Sequence, residues 1–247
     1  MIPFKTAKDI AEMREGGRIL ARILDRVAKQ AKPETTTEEL NKLTRKLIAE
    51  AGAEPAFLGY EGFPGVLCTA LNEEGVHVPP SVRKLQEGDM LTLDMGLKWR
   101  GWYLDMARTF PVGKVPQEKQ RLIEVTKKAL ELGIEQARVG NHLKDIGHAV
   151  QEFVESKGYN VVRELCGHGI GRNLHEQPRV LNYGRAGEGL ELKEGMVLCI
   201  EPMVTAGDWK LELAKDGHSY NTKDGSLFCH FEDTVAITEN GPKVLTR

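Results

Sequence analysis

Hydrophobic residues recur every three or four positions in several stretches of the chain, and this period predicts amphipathic α-helices. The first such stretch covers residues 7–30. Thr36 or Thr37 is placed to cap a second helix, which extends to about Ala51 and ends before Gly52. The chain therefore begins with a predicted pair of helices.

A second pair of helices is predicted beyond the middle of the chain. Pro116 is suited to the start of a helix that runs roughly to Ala137. Asn141 is expected to cap the next helix, which reaches about Lys157 and is followed by Gly158. Short apolar runs follow each pair of helices and predict strands.

Two of these runs, residues 90–96 and 102–109, alternate and are close enough in sequence to form a β-hairpin. A loop centred on residues 99–100 places Asp94 directly opposite Asp105, with Cβ atoms roughly 4.5–5.5 Å apart. Two carboxylates at that distance repel each other and require a shared proton or a cation. The alternative is a pair of solvated surface aspartates, although the flanking residues are apolar.

The order of helices followed by strands occurs twice, and one spacing links the two occurrences. The segment LQEG at residues 85–88 leads to Asp94, and LKEG at residues 192–195 leads to Glu201. Both the segments and the acids are 107 positions apart. This offset indicates an internal duplication in which Glu201 is the counterpart of Asp94.

The duplication predicts an α+β fold with two helix-helix-strand halves, approximately residues 7–112 and 116–240, related by a pseudo-twofold axis. A chain of 247 residues is long enough to bury one full core, and no low-complexity linker separates the halves. We therefore predict a single catalytic domain over residues 1–247.

Composition excludes several classes of protein. The formal charge of −2 argues against a dedicated nucleic-acid-binding protein. The N-terminus lacks the apolar core of a signal peptide, and no apolar run is long enough to span a membrane. The four cysteines are scattered without a CxxC pair, as is typical of reduced thiols. A soluble cytoplasmic protein is expected.

Further candidate ligands lie in apolar or glycine-rich surroundings. Glu201 and Glu232 are each within an apolar run, where an unpaired carboxylate is costly, and His168 is flanked by glycines. His175 follows seven residues after His168. Taken singly, each is more often a rim glutamate or a structural histidine. Together with the two aspartates, Glu201, Glu232 and His168 form an oxygen-rich set with a single imidazole. This set suits two divalent cations and metal-assisted hydrolysis, with an amide as the expected substrate.

The motifs around these residues resemble those of the type I methionine aminopeptidases, which have the pita-bread fold. The resemblance covers essentially the whole chain. Its motifs are LDMG at residues 93–96, DMARTF at 105–110, CGHGIGR at 166–172, HEQP at 175–178, IEPM at 200–203 and FEDT at 231–234. The resemblance implies a central antiparallel sheet and removal of N-terminal methionine, preferably before a small second residue.

The resemblance also implies a role for each candidate ligand. Asp94 would chelate one divalent metal ion, His168 and Glu201 would bind a second ion, and Asp105 and Glu232 would bridge the two. A hydroxide between the ions would attack the first peptide bond. Co, Mn, Fe, Zn and Ni all fit such ligands, so the sequence does not select the metal.

Two histidines and a pocket are implied in the same way. His175 would polarise the scissile carbonyl, His77 would lie near the amide nitrogen, and Glu201 would move a proton to the leaving amine. The implied methionine pocket is lined by Tyr60, Phe63, Leu174 and Trp209, with Phe57 and Cys68 nearby. The sequence departs from the family pattern at Phe57, Val78 and Leu104, which bears on the pocket and its loops.

The spacing of the last two ligands leaves no room for the insertion of type II enzymes, and the chain resembles the compact bacterial form. It is expected to be a monomer that acts on peptides with N-terminal methionine and associates transiently with ribosomes. An Xaa-Pro aminopeptidase or prolidase is the nearest alternative, but those enzymes carry a further N-terminal domain. A catalytically silent binding module of the same fold is expected to lose ligands, whereas all five are present.

Overall fold

A nine-stranded antiparallel sheet is the centre of the computed structural model, which describes residues 2–247. Residue 1 of the predicted domain lies outside the described residues. The helices are α1 (Ala7–Ala28), α2 (Thr37–Glu50), α3 (Gln117–Gln136) and α4 (Leu143–Ser156), with a 3₁₀ turn at Tyr60–Gly62. The strands are β1 (Glu54–Pro55), β2 (Cys68–Leu71), β3 (Glu74–Val76), β4 (Met90–Trp99), β5 (Trp102–Pro111), β6 (Asn160–Val161), β7 (Gly167–Gly169), β8 (Glu176–Val180), β9 (Val197–Ile200), β10 (Met203–Thr205), β11 (Leu211–Leu213), β12 (Tyr220–Thr222), β13 (Phe228–His230), β14 (Glu232–Thr238) and β15 (Gly241–Val244).

The strand order of the central sheet is β1-β4-β5-β14-β9-β7-β8, with β2 also paired to β4 and β15 to β14. Strands β5 and β14 lie side by side in the middle, flanked by β4 on one side and β9 on the other. This order matches the predicted pseudo-twofold arrangement and confirms the fold class. The limits of the two halves stay a prediction.

Each helix of the first pair begins with a capping box, of which only the one at the second helix was predicted. Thr6 and Asp9 form a capping box at the start of α1, and Thr36 and Glu39 form another at α2. Thr36, rather than Thr37, is therefore the cap of the second helix.

One predicted cap in the second pair is wrong. Pro116 does precede α3, but the N-cap of α4 is His142, whose backbone N–H donates to Asp145 over 2.6 Å. The side chain of Asn141 instead donates to the backbone oxygen of Gln136 over 3.0 Å. Asn141 thus satisfies a free carbonyl at the end of α3 rather than the start of α4.

The hairpin of β4 and β5 has a two-residue turn at Arg100 and Gly101. Both residues have positive φ, 49° and 81°, which is the conformation of a type I′ turn. The prediction of a loop centred on residues 99–100 is therefore wrong by one position. The right-handed twist of two long strands favours this turn, and Gly101 adopts its conformation without a steric cost.

The corrected turn changes the partners of the two aspartates. Asp94 lies opposite Ala107, and Asp105 lies opposite Gly96. The aspartates are therefore diagonal neighbours, not a directly facing pair. They remain on one face of the sheet, because moving the turn centre by one position changes the register by two and preserves the alternation of side chains.

Two apolar runs predicted as continuous are each divided between sheets. The first run breaks at Glu201 and Pro202 between β9 and β10, and the second breaks at Phe231 between β13 and β14. Pro202 has no N–H to donate to a ladder, whereas its carbonyl accepts from the N–H of Phe231 over 3.3 Å. Strands β10, β13 and β6 form a separate three-stranded sheet. Glu201 and Glu232 therefore lie beside the points where the chain changes sheets.

The face of β4 opposite Asp94 belongs to a hydrophobic core. Leu93 and Met95 are fully buried in one cluster with Leu20 and Leu24 of α1. Side chains alternate along a strand, so Leu93 and Met95 face the helices and Asp94 lies on the opposite face of β4.

No helix within residues 2–247 has the length and apolar character required to cross a bilayer.

Candidate active site

Five neighbouring strands of the central sheet each bring one predicted metal ligand to the same region. In sheet order, Asp94 is on β4, Asp105 on β5, Glu232 on β14, Glu201 directly after β9, and His168 on β7. Residues separated by up to 138 positions in the chain thereby become neighbours. The sheet therefore gathers all the predicted ligands, including those from both halves of the chain.

The register leaves space between the acids. Ala107 is the cross-strand partner of both Asp94 and Glu232, and Gly96 is the partner of Asp105. Alanine and glycine are small, so neither fills the space above the sheet. The three carboxylates offer oxygens that lie within 4.8 Å of one another.

Several of these oxygens are buried without a hydrogen-bond partner among residues 2–247. They are Oδ1 of Asp94, Oδ1 of Asp105 and Oε1 of Glu232. These three residues are 8%, 4% and 2% exposed. An unsatisfied buried polar atom is costly, and protein structures rarely retain one without a reason. A divalent cation is the group that would satisfy all three oxygens, so these residues fit a metal site.

The pKa values of the clustered acids are consistent with a metal site. Burial raises the pKa of Asp94 to about 6. Burial, together with repulsion from Glu232 and Asp94, raises the pKa of Asp105 well above its ordinary value. The pKa values of Glu232 and Glu201 are also raised, mainly by burial and further by repulsion from neighbouring acids. The cluster of acids therefore favours positive charge at this site.

His168 presents one defined nitrogen to the cluster. Its Nδ1 lies 2.9 Å from the carbonyl oxygen of Gly169, an acceptor, so Nδ1 carries the proton. Nε2 therefore has a free lone pair, and it lies 3.7 Å from Oε1 of Glu201. Burial lowers the pKa of His168 to about 3, which keeps the ring neutral. A fixed neutral tautomer is what a metal-binding histidine requires.

The glycines beside His168 allow close approach of the backbone. A Cβ atom on Gly167 would lie 2.3 Å from the carbonyl oxygen of Cys199, and one on Gly169 would lie 2.2 Å from that of Gln177. Both distances are shorter than real contacts, so neither position has space for a side chain. The glycines that flank His168 in the sequence therefore allow the backbone on both sides of it to pack closely against its neighbours.

The cluster lies at one end of a cavity of about 280 Å³. Five of the six residues predicted for the pocket or its surroundings line this cavity: Phe57, Tyr60, Phe63, Cys68 and Leu174. Trp209 does not line the cavity; its ring lies 5.1 Å from the guanidinium carbon of Arg163. The structure therefore places Trp209 away from the cavity to which the sequence assigned it.

His77 and His175 lie at the mouth of the same cavity. Both rings are solvent-accessible, yet partial removal from water lowers the pKa of each. The hydroxyl of Tyr60 lies 2.8 Å from Nδ1 of His175. His77 has a positive φ of 58°, an uncommon conformation for a residue with a side chain, and such residues often occur at functional sites.

The positions that depart from the family pattern lie in different places. Phe57 lines the cavity. Leu104 is fully buried in the core beneath the sheet, and Val78 is 6% exposed outside the cavity lining. Among these three positions, only Phe57 bears directly on the shape of the cavity.

Sequence reasoning missed several residues of the region, three of which carry an imidazole or a phenol ring. His218 and Tyr220 line the cavity, and His230 lies behind it with its Nε2 3.4 Å from Oε2 of Glu201. His230 could have been suspected, because it stands two residues before Glu232 in an apolar run. Nothing in the sequence marks His218 or Tyr220, which the pairing of β12 with β3 brings near His77.

A buried cluster of carboxylates and imidazole on the pita-bread fold defines a metal-dependent hydrolase. The family model for metallopeptidase family M24 matches residues 11–239. The methionine aminopeptidase of Clostridium acetobutylicum is 46% identical over 247 residues, covering 100% of this chain and 99% of that one. The chain belongs to the methionine aminopeptidases of metallopeptidase family M24.

Solved structures agree. The crystal structure of methionine aminopeptidase from Rickettsia prowazekii has a TM-score of 0.99 and 43% identity, with 100% of both chains covered. Prolidase from Pyrococcus furiosus has a TM-score of 0.81 and 25% identity, and the match covers 99% of this chain but 65% of that one. The fold is thus shared with prolidases, while the match over full length is to methionine aminopeptidases.

Proposed function

We propose that this protein removes the N-terminal methionine from peptides and newly made proteins by hydrolysing the first peptide bond. One observation carries the proposal: buried carboxylate oxygens without partners converge at the end of a cavity with aromatic and aliphatic walls. Full-length similarity to methionine aminopeptidases supports the same conclusion.

The finer proposal is that two divalent ions bind per chain. Asp94 would hold one, His168 and Glu201 would hold the other, and Asp105 and Glu232 would be shared between them. In support, each of the three groups of potential ligand atoms in the described residues contains Glu232, as a bridging residue should. Bound divalent ions supply Lewis acidity and make water a stronger nucleophile at neutral pH.

The side chains of the chain supply the proton transfers. Glu201 accepts the proton that the attacking water loses and delivers it to the nitrogen of the leaving amine. With the Tyr60 hydroxyl donating to Nδ1 of His175, Nε2 of His175 carries a hydrogen that it can donate to the scissile carbonyl oxygen. His77 contacts the amide nitrogen from the other side of the mouth.

The apolar walls are suited to a methionine side chain. Phe57 and Phe63 meet edge to face with ring centroids 6.4 Å apart, and Leu174 is 3% exposed beside them. A flexible thioether packs well against aromatic rings. A small second residue is the expected preference, since the histidines crowd the mouth.

Two peptides separate this function from the proline-specific alternative. Hydrolysis of Met-Ala-Ser and Ala-Pro-Ser is measured on one preparation loaded with Co²⁺ or Mn²⁺. We expect cleavage after methionine and little cleavage of the proline peptide. Preferential release of alanine from Ala-Pro-Ser would contradict the proposal.

The two histidines are tested separately from the metal ligands. We expect His77→Ala to reduce turnover while metal content stays near that of the unchanged protein, because His77 contacts substrate. Metal analysis that finds an emptied site in this variant would overturn its assignment to substrate.

Three further predictions concern the state of the protein in the cell. We propose a monomer located in the cytoplasm that contacts ribosomes transiently. Light scattering of the purified protein tests the monomer, and cosedimentation with ribosomes at low and high salt tests the contact.

A further inference from the structure

A second imidazole, that of His230, lies against Glu201. His230 is the last residue of β13 and is 1% exposed. Its backbone is fixed by Thr109, whose Oγ1 accepts from the N–H of His230 over 3.1 Å and donates to its carbonyl over 2.8 Å. Yet neither ring nitrogen has a hydrogen-bond partner within the described residues. A rigid, fully buried imidazole without partners requires an explanation.

The carboxylate of Glu201 lacks donors as well. Among residues 2–247, no N–H or O–H group donates a hydrogen bond to its side-chain oxygens; the only bond to this residue, from Asn182, reaches the backbone carbonyl. Oε1 lies 3.7 Å from Nε2 of His168, and Oε2 lies 3.4 Å from Nε2 of His230. Glu201 is therefore flanked by one imidazole at each oxygen.

The two imidazoles cannot act alike. The Nδ1 proton of His168 is held by the carbonyl oxygen of Gly169, so its Nε2 has only a lone pair to offer. His168 thus cannot donate to Glu201. His230 has no such restriction, and it is the one neighbouring ring able to donate to the carboxylate.

We propose that His230 is a positioning residue, whose Nε2–H donates to Oε2 of Glu201 and leaves Oε1 beside Nε2 of His168 for a divalent cation. Closing the present 3.4 Å separation to an ordinary hydrogen bond of about 2.9 Å needs only a small movement of the flexible glutamate. The inference rests on the metal centre of the proposed function. Ligating carboxylates are commonly oriented by such hydrogen bonds.

The structure also defines the competing possibility. Single ligand atoms of Glu201, His230 and Glu232 lie within 4.8 Å of one another, which is close enough for His230 to bind a cation directly. Hydrogen bonding needs a donor at the place of Nε2, whereas ligation needs a lone pair there. An amide side chain at position 230 distinguishes the two roles, because an amide nitrogen donates a hydrogen bond but is a poor metal ligand.

The test is a calorimetric titration of the metal-free protein with Co²⁺, combined with the visible spectrum of the bound ion. In His230→Gln the amide nitrogen can occupy the place of Nε2, whereas in His230→Asn it can reach only the place of Nδ1. We expect His230→Gln to retain most of the affinity and the spectrum. His230→Asn should lose about 10–100-fold in affinity, the usual effect of removing such a partner.

His148→Asn is the matched control, since its ring is on the surface of α4 and its loss should change nothing. The double variant with Glu201→Gln adds a second test. Once Glu201 is altered, His230→Asn should weaken Co²⁺ binding no further, because both residues act through one bond. Thermal melting of the metal-free variants verifies that each is folded.

Three outcomes would overturn the proposal. Equal losses in His230→Gln and His230→Asn, with a changed spectrum in both, would make His230 a ligand. Unchanged affinity in His230→Asn would show that the ring has no role in metal binding. Additive losses in the double variant would separate His230 from Glu201. Failure of the proposed function is distinguishable, because the unchanged protein would then bind no Co²⁺ or leave the methionine peptide intact.

Discussion

Glu232 and Asp233 are adjacent in the chain and almost equally buried, at 2% and 0% exposed, but they lie on opposite faces of β14. Asp233 accepts hydrogen bonds from Arg108, Thr246 and Arg247, at 2.6 to 3.0 Å. Oε1 of Glu232 has no partner. One buried acid is thus neutralised by the protein itself, and its neighbour is left for a cation.

One face of β14 therefore carries a salt-bridged acid that stabilises the fold, and the other face carries an acid of the candidate metal site. Arg247 reaches Asp233 because the last strand, β15, pairs with β14 and brings the end of the chain against it. No arginine or lysine side chain in residues 2–247 reaches the carboxylate of Glu232 within ion-pair distance. A permanent cation there would occupy the place of the metal, so the same features that stabilise Asp233 would destroy the site at Glu232.

The largest expected effect comes from removing a bridging acid. Glu232→Ala or Asp105→Ala should abolish peptide hydrolysis, because each removes oxygens shared by both proposed ions. The metal-free variants should be at least as stable as the unchanged protein, since a buried carboxylate without a partner is lost. Peptide assays and thermal melting in chelator measure both effects. Near-normal turnover would remove that residue from the bridge.

The opposite result is expected at the neighbouring position. Asp233→Asn keeps the shape but leaves Arg108 and the half-exposed Arg247 without their counter-charge. Breaking a buried pair, such as the one with Arg108, costs about 3–5 kcal/mol. Denaturant unfolding in chelator measures the loss. If Asp233→Asn bound no metal yet kept its full stability, Asp233 would be the metal ligand and not the structural acid.

Metal itself should stabilise only where the unpaired acids are present. For the unchanged protein, an ion at 100 times its Kd adds about 2.7 kcal/mol to the free energy of unfolding. Glu232→Ala should lose most of this increment, whereas Asp233→Asn should retain it. Melting curves recorded with chelator and with Mn²⁺ measure this metal-dependent increment for each variant. An equal metal-dependent shift in both variants would break the comparison.

The smallest effect is expected at the surface. Lys84 and Glu34 form an ion pair at 2.8 Å, but their side chains are 61% and 77% exposed. Water and salt screen such a pair, so Lys84→Met should leave the free energy of unfolding nearly unchanged. The pair of Lys5 and Glu176, also at 2.8 Å but only 3% and 6% exposed, is the matched contrast. Lys5→Met should be clearly more destabilising in the same denaturant titration, and an equal loss would mean that burial is not the deciding variable.

Much of this protein could be predicted from sequence because the signals are local. Apolar periodicity and capping residues such as Thr36 located the helices to within a few residues. The offset between Asp94 and Glu201 indicated that the acids converge, and the motifs around His168 identified the family. A buried acid in an apolar run is a strong signal, because its cost requires a compensating partner.

Tertiary structure alone decided features that depend on distant partners. The turn at Arg100 and Gly101 follows from strand twist and fixed which residues face Asp94 and Asp105. Trp209 packs beside Arg163 and does not line the cavity. Whether a buried carboxylate meets an arginine or is left unpaired depends on which strands pair, so Glu232 and Asp233 look alike in the sequence and differ only in the folded chain.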